Sequence, residues 1–389
     1  MGVNLGDLAE RRTLQWSELS GKVVAVDAYN TLYQFLSSIR GADGSLLTDT
    51  KGRVTSHLTG LFYRSVKWLE NGVKPVFVFD GKPPELKRKT LDGRRERKIQ
   101  AEQARKEALD SGDLESARMY SQATSKLTPE MAGQAKQLLS ALGIPVLQAP
   151  SEGEAQAAEL VRAGLAWASA SQDYDSLLFG CPRLVRNLST SGRRKMPRRN
   201  EYMDVEPELI ELESVLSTSH LSREQLVWLG MLVGTDFNEG VMGVGPKKAL
   251  KLVFGAQSFK EVLARIAAGA KKPTSALPKD HPDEENLDHQ TLAALSLSPA
   301  STSGAASPSS AFLSSAPAGL ENWEEIEQFF LHPPIVEHPS FSFGKPDRDA
   351  VVSLLCGQFD FSSERAARTL DGLIEKQKES GAQKRLGDW

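Results

Sequence analysis

Twice in the first eighty residues a short apolar run ends abruptly in aspartate: Val23-Val24-Ala25-Val26 meets Asp27, and Val76-Phe77-Val78-Phe79 meets Asp80. Runs this short, rich in β-branched and aromatic residues, read as strands buried on both faces, and such strands need a sheet covered by helices on each side. A carboxylate just past each strand then stands at the carboxyl edge, where an open parallel sheet forms its ligand crevice. Ala166-Trp167-Ala168-Ser169-Ala170 reads as another short buried strand. Helical stretches occupy about 54–71 and 130–142, and a further helix begins after Pro150. The alternation predicts an α/β protein with a mostly parallel central sheet flanked by helices.

The chain has 389 residues, 40% apolar and 25% charged, which is ordinary globular composition with room for a large core. A net charge of -3 means that any attraction for nucleic acid must come from local patches. Two cysteines, Cys181 and Cys356, and six histidines fit neither a disulfide framework nor a zinc spacing, so a reducing compartment is the simplest home. No apolar run approaches a membrane span, and no secretory signal opens the chain. Myristoylation is rejected because Gly6 stands where its motif needs Ser or Thr. Lys82 to Leu127 is charged, alanine-rich and helical in spacing, an excursion from the sheet. Residues 270–320 read as a low-complexity, disordered insertion; about two-thirds of residues 291–320 are Ala, Ser or Pro, too few large apolar groups to offset the entropy of ordering.

The acids that follow strands or open helices form a set: Asp27, Asp80, Glu152 and Glu154 in "PSEGEAQAA", Asp173 and Asp175 in "SQDYDSLLF", and Asp236 in "VGTDFNEG". Glu-x-Glu and Asp-x-Asp would place paired oxygens on one side of an extended segment. Any one of these acids alone reads more simply as a helix cap or turn former. Jointly they repel, by about 4 kcal/mol for two charges 4 Å apart at an effective dielectric near 20, so a cluster calls for cations. An oxygen-only set without His or Cys favours Mg²⁺, with Mn²⁺ able to substitute. Two ions roughly 3.5–4 Å apart suit in-line attack on a phosphodiester.

In order, "VVAVDAYNTLYQFL", "VFVFDGKPPELKRKTL", "APSEGEAQAAEL", "SQDYDSLLFG" and "LVGTDFNEGVMGVGPKKAL" resemble the structure-specific 5' nucleases, and within them the flap endonucleases; a clamp-binding box at residues 383–389 makes the resemblance archaeal in type. The resemblance covers about residues 1–265, more weakly the chain from Trp323 on. It implies a PIN-like 5' nuclease fold whose seven carboxylates hold two Mg²⁺ directly or through water. It also implies a nuclease region over 1–98 with a helical arch at 82–128, and a second nuclease region over 116–265. Within the latter, about 226–255 forms a helix-two-turn-helix DNA-binding element, often with a monovalent cation. A C-terminal part of the body follows at 321–375 and a tail at 376–389.

Between Lys82 and Lys106 there are ten Lys or Arg against four Asp or Glu. Such a helix is ordinarily a solvated face, yet it emerges directly behind Asp80. Seven carboxylates and two Mg²⁺ still sum to about -3, so a reacting phosphate needs further positive charge. The resemblance assigns that charge to Lys87 and Arg94, and implies that Tyr33 stacks on a base near the cut; Tyr33 is equally readable as a core aromatic. Arg193, Arg194, Lys195, Arg198 and Arg199 suggest a phosphate-contacting hairpin. Lys247, Lys248 and Lys251 follow the Gly243/Gly245 turn, whose N–H groups could meet a phosphate at a helix start opened by Pro246. The tail "QKRLGDW" resembles the sliding-clamp (PCNA) binding box through Gln383, Leu386 and Trp389, lacking its second aromatic and therefore expected to bind weakly.

Together these readings describe a Mg²⁺-dependent 5' flap endonuclease with 5'-3' exonuclease activity. It would act as a monomer in Okazaki-fragment maturation and base-excision repair on flapped or nicked duplex DNA. It would be cytoplasmic and nucleoid-associated in an archaeon, nuclear in a eukaryote. The rivals are a sister nuclease for bubbles, gaps or Holliday junctions, a clamp-associated DNA-binding scaffold with dead chemistry, and an RNA nuclease on a related acidic sheet. The intact carboxylate set argues against the scaffold; the duplex-binding turn and clamp box argue against the RNA nuclease.

Overall fold

The computed structural model describes residues 3, 5–6, 8–41, 44–190, 192–195, 202–269, 317 and 319–386. Its strands are β1 (Arg12–Thr13), β2 (Val23–Asp27), β3 (Lys74–Phe79), β4 (Val146–Gln148), β5 (Ala168–Ala170), β6 (Arg183–Arg186), β7 (Gly192–Lys195), β8 (Tyr202–Val205) and β9 (Glu208–Glu211). Seven of them form one sheet in the order β1-β9-β6-β5-β2-β3-β4. The five strands from β6 to β4 are parallel, and β9 and β1 close one edge antiparallel. The chain leaves central β2 toward β3 and β4, then returns to lay β5 on the other side of β2. The strand order therefore reverses between β2 and β5, the point where such sheets open a crevice.

The alternation within the short runs explains why both faces are covered. Val24, Val26, Phe77 and Phe79 point to one side, packing with α2 (Ala28–Ser38), α3 (Ser56–Glu70) and α6 (Pro129–Ala141). Ala25, Val76 and Val78 point to the other, against α7 (Gly153–Arg162), α8 (Asp175–Leu178) and α10 (Arg223–Val233). Phe77 and Phe79 are essentially inaccessible, each worth about 1.5–3 kcal/mol of apolar burial. The charged excursion is α4 (Arg88–Asp110), entered through a 3₁₀ turn at Glu85–Lys87, and α5 (Leu114–Ala123) packed against it. Only Ala108 of α4 is buried, as its charge requires.

Short helices α1 (Trp16–Leu19) and α9 (Leu212–Ser219) flank the antiparallel edge. Past α10 come α11 (Pro246–Val253) and α12 (Phe259–Gly269), and after the insertion α13 (Trp323–Leu331), α14 (Arg348–Val352) and α15 (Ser363–Leu386). A π-helical turn at Ser353–Gln358 follows α14. Nearly all of the expected insertion, residues 270–316 and 318, lies outside the described residues. Core packing resumes as the composition indicated: Ile326 and Phe330 join one side, Val351, Leu355 and Leu370 the other. Among the described residues no helix is long and apolar enough to cross a membrane.

Candidate active site

Asp27 is the last residue of β2 and also the N-cap of α2, where its side chain accepts from the Asn30 N–H at 3.0 Å. The simple reading, a helix cap, is thus realised in a residue that also lies among the other acids. Asp80 follows β3, and its Oδ1 accepts from the Gly153 N–H at 2.7 Å. A Cβ on Gly153 would lie 2.7 Å from that same oxygen, so the glycine is what lets α7 begin this close to the acid. Gly81 does the same for the chain beyond β3, since its Cβ would sit 2.2 Å from the Ala149 carbonyl. Asp236 stands in a turn after α10. There the Thr235 hydroxyl donates to Asn238 Oδ1 at 2.8 Å and the Asn238 amide donates to the Met231 carbonyl at 2.6 Å.

The two acid pairs are not built as extended segments. Glu152 caps α7 and Glu154 lies in its first turn, while Asp175 is the first residue of α8. The helix start turns members of a pair apart. Glu152 faces Lys87 at 2.6 Å, whereas Glu154 is buried where the charges of Asp175, Asp27 and Asp173 all bear on it.

The seven carboxylates form one electrostatic cluster. Burial first, then the charge of Asp80, pushes the Asp27 carboxyl well above the usual range. Burial and the neighbouring Asp175 do the same to Glu154. Asp175 is raised to about 7 by burial and then by Asp236 and Asp173. Asp80 and Glu152 are also raised by burial, against the opposing pull of Lys87. For Asp236 burial is outweighed by Lys87 and Arg94, and its carboxyl stays below the usual range. Desolvation and like-charge repulsion both disfavour ionised acids, so the cluster is poised for a cationic counterpart.

Lys87, the last residue of the 3₁₀ turn, reaches Glu152 at 2.6 Å and Asp236 at 3.3 Å. Burial works to depress its ammonium, but Glu152 and Asp236 outweigh it and hold the group charged. Arg94 bonds Asp236. The start of the charged excursion therefore brings two of its cations onto the acids. Tyr33 lies 38% exposed on α2, with Lys98 of α4 5.1 Å from its ring centre, so it is not a core aromatic.

Oxygen is the only donor type here, and Glu154 Oε1 is buried without a hydrogen-bond partner, an arrangement suited to a hard divalent cation. Among the described residues no three acids already converge on one point as ligands of an ion would. Their oxygens are instead drawn outward to separate donors: Gly153 N–H for Asp80, Val3 N–H for Asp175 at 2.7 Å, the Asn30 amide for Asp173 at 2.9 Å, Lys87 and Arg94 for Glu152 and Asp236. Val3, Gly153, Asn30 and Ser171, whose side chain bonds Glu154, carry no sequence signal of this role; only the position of Asn30, three residues past a cap, could have drawn attention.

The other basic elements lie on β7 and α11. Gly192–Lys195 pairs antiparallel with Tyr202–Val205, so the hairpin is formed. Of Arg193, Arg194 and Lys195 only the backbone is described, and Arg198 and Arg199 lie outside the described residues. Gly243 adopts φ +75 in the turn before α11, Gly245 caps that helix and Pro246 opens it. Lys247, Lys248 and Lys251 are exposed on it, with Lys248 Nζ donating to the Gly243 carbonyl at 3.0 Å. Gln383 and Leu386 fall within α15, described by backbone alone, and Trp389 lies outside the described residues.

A parallel sheet with an acid-lined switch point, overhung by a cationic helix, is carried by a chain that the family models place in the XPG class. The XPG N-terminal domain matches residues 2–101 and the XPG I-region residues 143–236. Flap endonuclease 1 of Aeropyrum pernix is 43% identical over all of this chain and 99% of its own length, and that of Pyrococcus furiosus 42% over 100% and 99%. The structure of flap endonuclease-1 from Methanococcus jannaschii covers 97% of this chain and 100% of its own at a TM-score of 0.66 and 35% identity. The catalytic core of Rad2 in complex with DNA covers 95% and 97% at 0.62 and 25% identity. The chain belongs to the flap endonuclease family.

Proposed function

We propose that the chain is a structure-specific flap endonuclease that hydrolyses a phosphodiester at the junction of a 5' flap with duplex DNA, in replication and repair. The carrying observation is the gathering of seven acids from five separate segments at the β2/β5 switch point, with Lys87 and Arg94 above them. Asp27, Asp80, Glu152, Glu154, Asp173, Asp175 and Asp236 would hold two Mg²⁺ directly or through water. Bound there, the ions would supply an activated water and stabilise the charge that builds on the phosphate. Lys87 and Arg94 exchange their carboxylate partners for phosphate oxygens and offset the charge that the acids leave over. Tyr33, exposed beside them, offers a stacking face to a base near the cut.

The hairpin and α11 bind duplex phosphates, with a monovalent cation at the turn before α11, and the helix pair α4/α5 selects a free 5' end, which also gives 5'-3' exonuclease activity. The tail box engages a sliding clamp, and the chain acts as a monomer. Titrating Mg²⁺ against cleavage of a panel of flap, bubble, gap and four-way junction substrates tests the reading. We expect metal-dependent incision with the flap cut fastest. Metal-independent cutting, or a bubble or four-way junction cut faster than the flap, would overturn it.

A further inference from the structure

Asp27 at the end of β2 and Asp173 after β5 are both bonded by one residue between them, Asn30. Asn30 lies in the first turn of α2. Its backbone N–H donates to Asp27 Oδ1 at 3.0 Å, and its Nδ2 donates to Asp173 Oδ2 at 2.9 Å. Its Oδ1 accepts from the Gln172 N–H at 3.3 Å, which fixes the amide orientation. The Asp173 N–H in turn donates to the Ser171 hydroxyl at 3.2 Å, so the loop carrying the acid is tied at both the main chain and the side chain.

We propose that Asn30 is a positioning residue that sets the orientation of the Asp173 carboxylate relative to Asp27 for divalent-ion binding. The inference rests on the metal-carboxylate reading above. An amide is suited to the task because it donates to one carboxylate oxygen without neutralising the charge, leaving the other oxygen to a ligand. A lysine there would pair with the carboxylate, as Lys87 does with Glu152, and so compete with the ion. Hydrogen-bond partners of ligating side chains commonly contribute 10–100-fold in metal affinity. Beside Asn30 lies a cavity of about 10 Å³, the size of one water, lined also by Thr31, Trp68 and Leu188. Truncation to alanine would therefore enlarge a small existing space and leave the packed core intact.

The test is Mn²⁺ binding to the full chain without DNA, followed by the electron paramagnetic resonance signal of free Mn²⁺. Wild type, Asn30→Ala, Asn30→Leu and Asp173→Ala are compared, and flap-DNA affinity in EDTA is measured for each. We expect both Asn30 variants to lose tenfold or more in Mn²⁺ affinity with DNA affinity within twofold of wild type. Should Asn30→Leu not fold, Asn30→Ala alone carries the result. A smaller loss of Mn²⁺ affinity, or a parallel loss of DNA affinity, overturns the positioning role. If wild type binds Mn²⁺ and Asp173→Ala does not, while the Asn30 variants match wild type, only this inference fails. If wild type binds no Mn²⁺, the metal reading fails with it.

Discussion

The acidic crevice and the basic turn before α11 lie only a few residues apart in sequence at Asp236 and Gly243, yet they are built on opposite plans. In the crevice the acids are largely buried, most are bonded by a particular donor, and burial shifts several of them from their ordinary ionisation. On α11 the lysines are exposed, and the one described contact of Lys248 is to a carbonyl of its own turn. Under the proposed function, the difference separates chemistry from grip. Placing a reacting phosphate needs groups fixed by the core, whereas holding a DNA backbone needs positive charge along a surface, which solvent-facing side chains supply without fixed geometry.

The sharpest way to break this contrast is to remove one acid. Asp175 is buried at the start of α8, and its carboxylate accepts from the Val3 N–H. Asp175→Ala should lower flap cleavage at saturating Mg²⁺ on the order of 10²–10³-fold, as expected for loss of one preorganised electrostatic group. Flap-DNA affinity in EDTA should stay within about twofold, since grip is supplied elsewhere. Single-turnover cleavage and fluorescence anisotropy give the two numbers. Near-normal cutting would remove Asp175 from the site, and a matching fall in affinity would mean that crevice and grip are one surface.

The same contrast explains what the sequence made legible. Asp27 and Asp80 could be placed because two unmistakable strands end in them, and the parallel sheet those strands demand has only one edge at which ligands gather. Lys87 is singled out by the family resemblance; the residues alone show only a charged helix emerging directly behind Asp80. The pairing of Glu152 with Glu154 was misread as extended because Glu-x-Glu spacing fits a strand and a helix start alike, and only the position of Gly153 against Asp80 decides for the helix. The bond from Asn30 to Asp173 was invisible, since a contact between residues 143 positions apart leaves no local pattern. The lysines of α11 were legible as charge, but charge alone does not say which of them meets a phosphate.

A second, smaller effect lies in the pH dependence of stability. Burial and the charges of Asp236 and Asp173 push the Asp175 carboxyl up to about 7 from an ordinary 3.8, and Asp27 and Glu154 are raised as well. The folded chain therefore holds more protons than the unfolded one above about pH 4, and the stability these acids confer is lost as pH rises through 7. Asp236, held low, acts in the opposite sense. So does His57, which burial depresses to about 4; its contribution is lost as pH falls from 6.5 toward 4. His57 contributes alike with and without metal, so the difference between melting in Mg²⁺ and in EDTA isolates the crevice. That difference should grow from about pH 5 to about pH 8, approaching about 2.7 kcal/mol where Mg²⁺ is a hundredfold above its Kd. A difference independent of pH would mean that the ions do not bind these acids.

The smallest effect is expected from the grip. Changing Lys247, Lys248 and Lys251 together to Gln should leave cleavage at saturating DNA unchanged while weakening binding. The slope of log affinity against log salt should become shallower by about 0.9 for each phosphate contact removed. Singly, Lys248→Gln should alter the slope least, because Lys248 Nζ already bonds the Gly243 carbonyl and its charge is partly engaged in holding the turn. If Lys248 instead dominates, the bond to Gly243 serves to aim the ammonium at the DNA. The turn would then be preorganised in the manner of the crevice, and the line between chemistry and grip would move outward to include it.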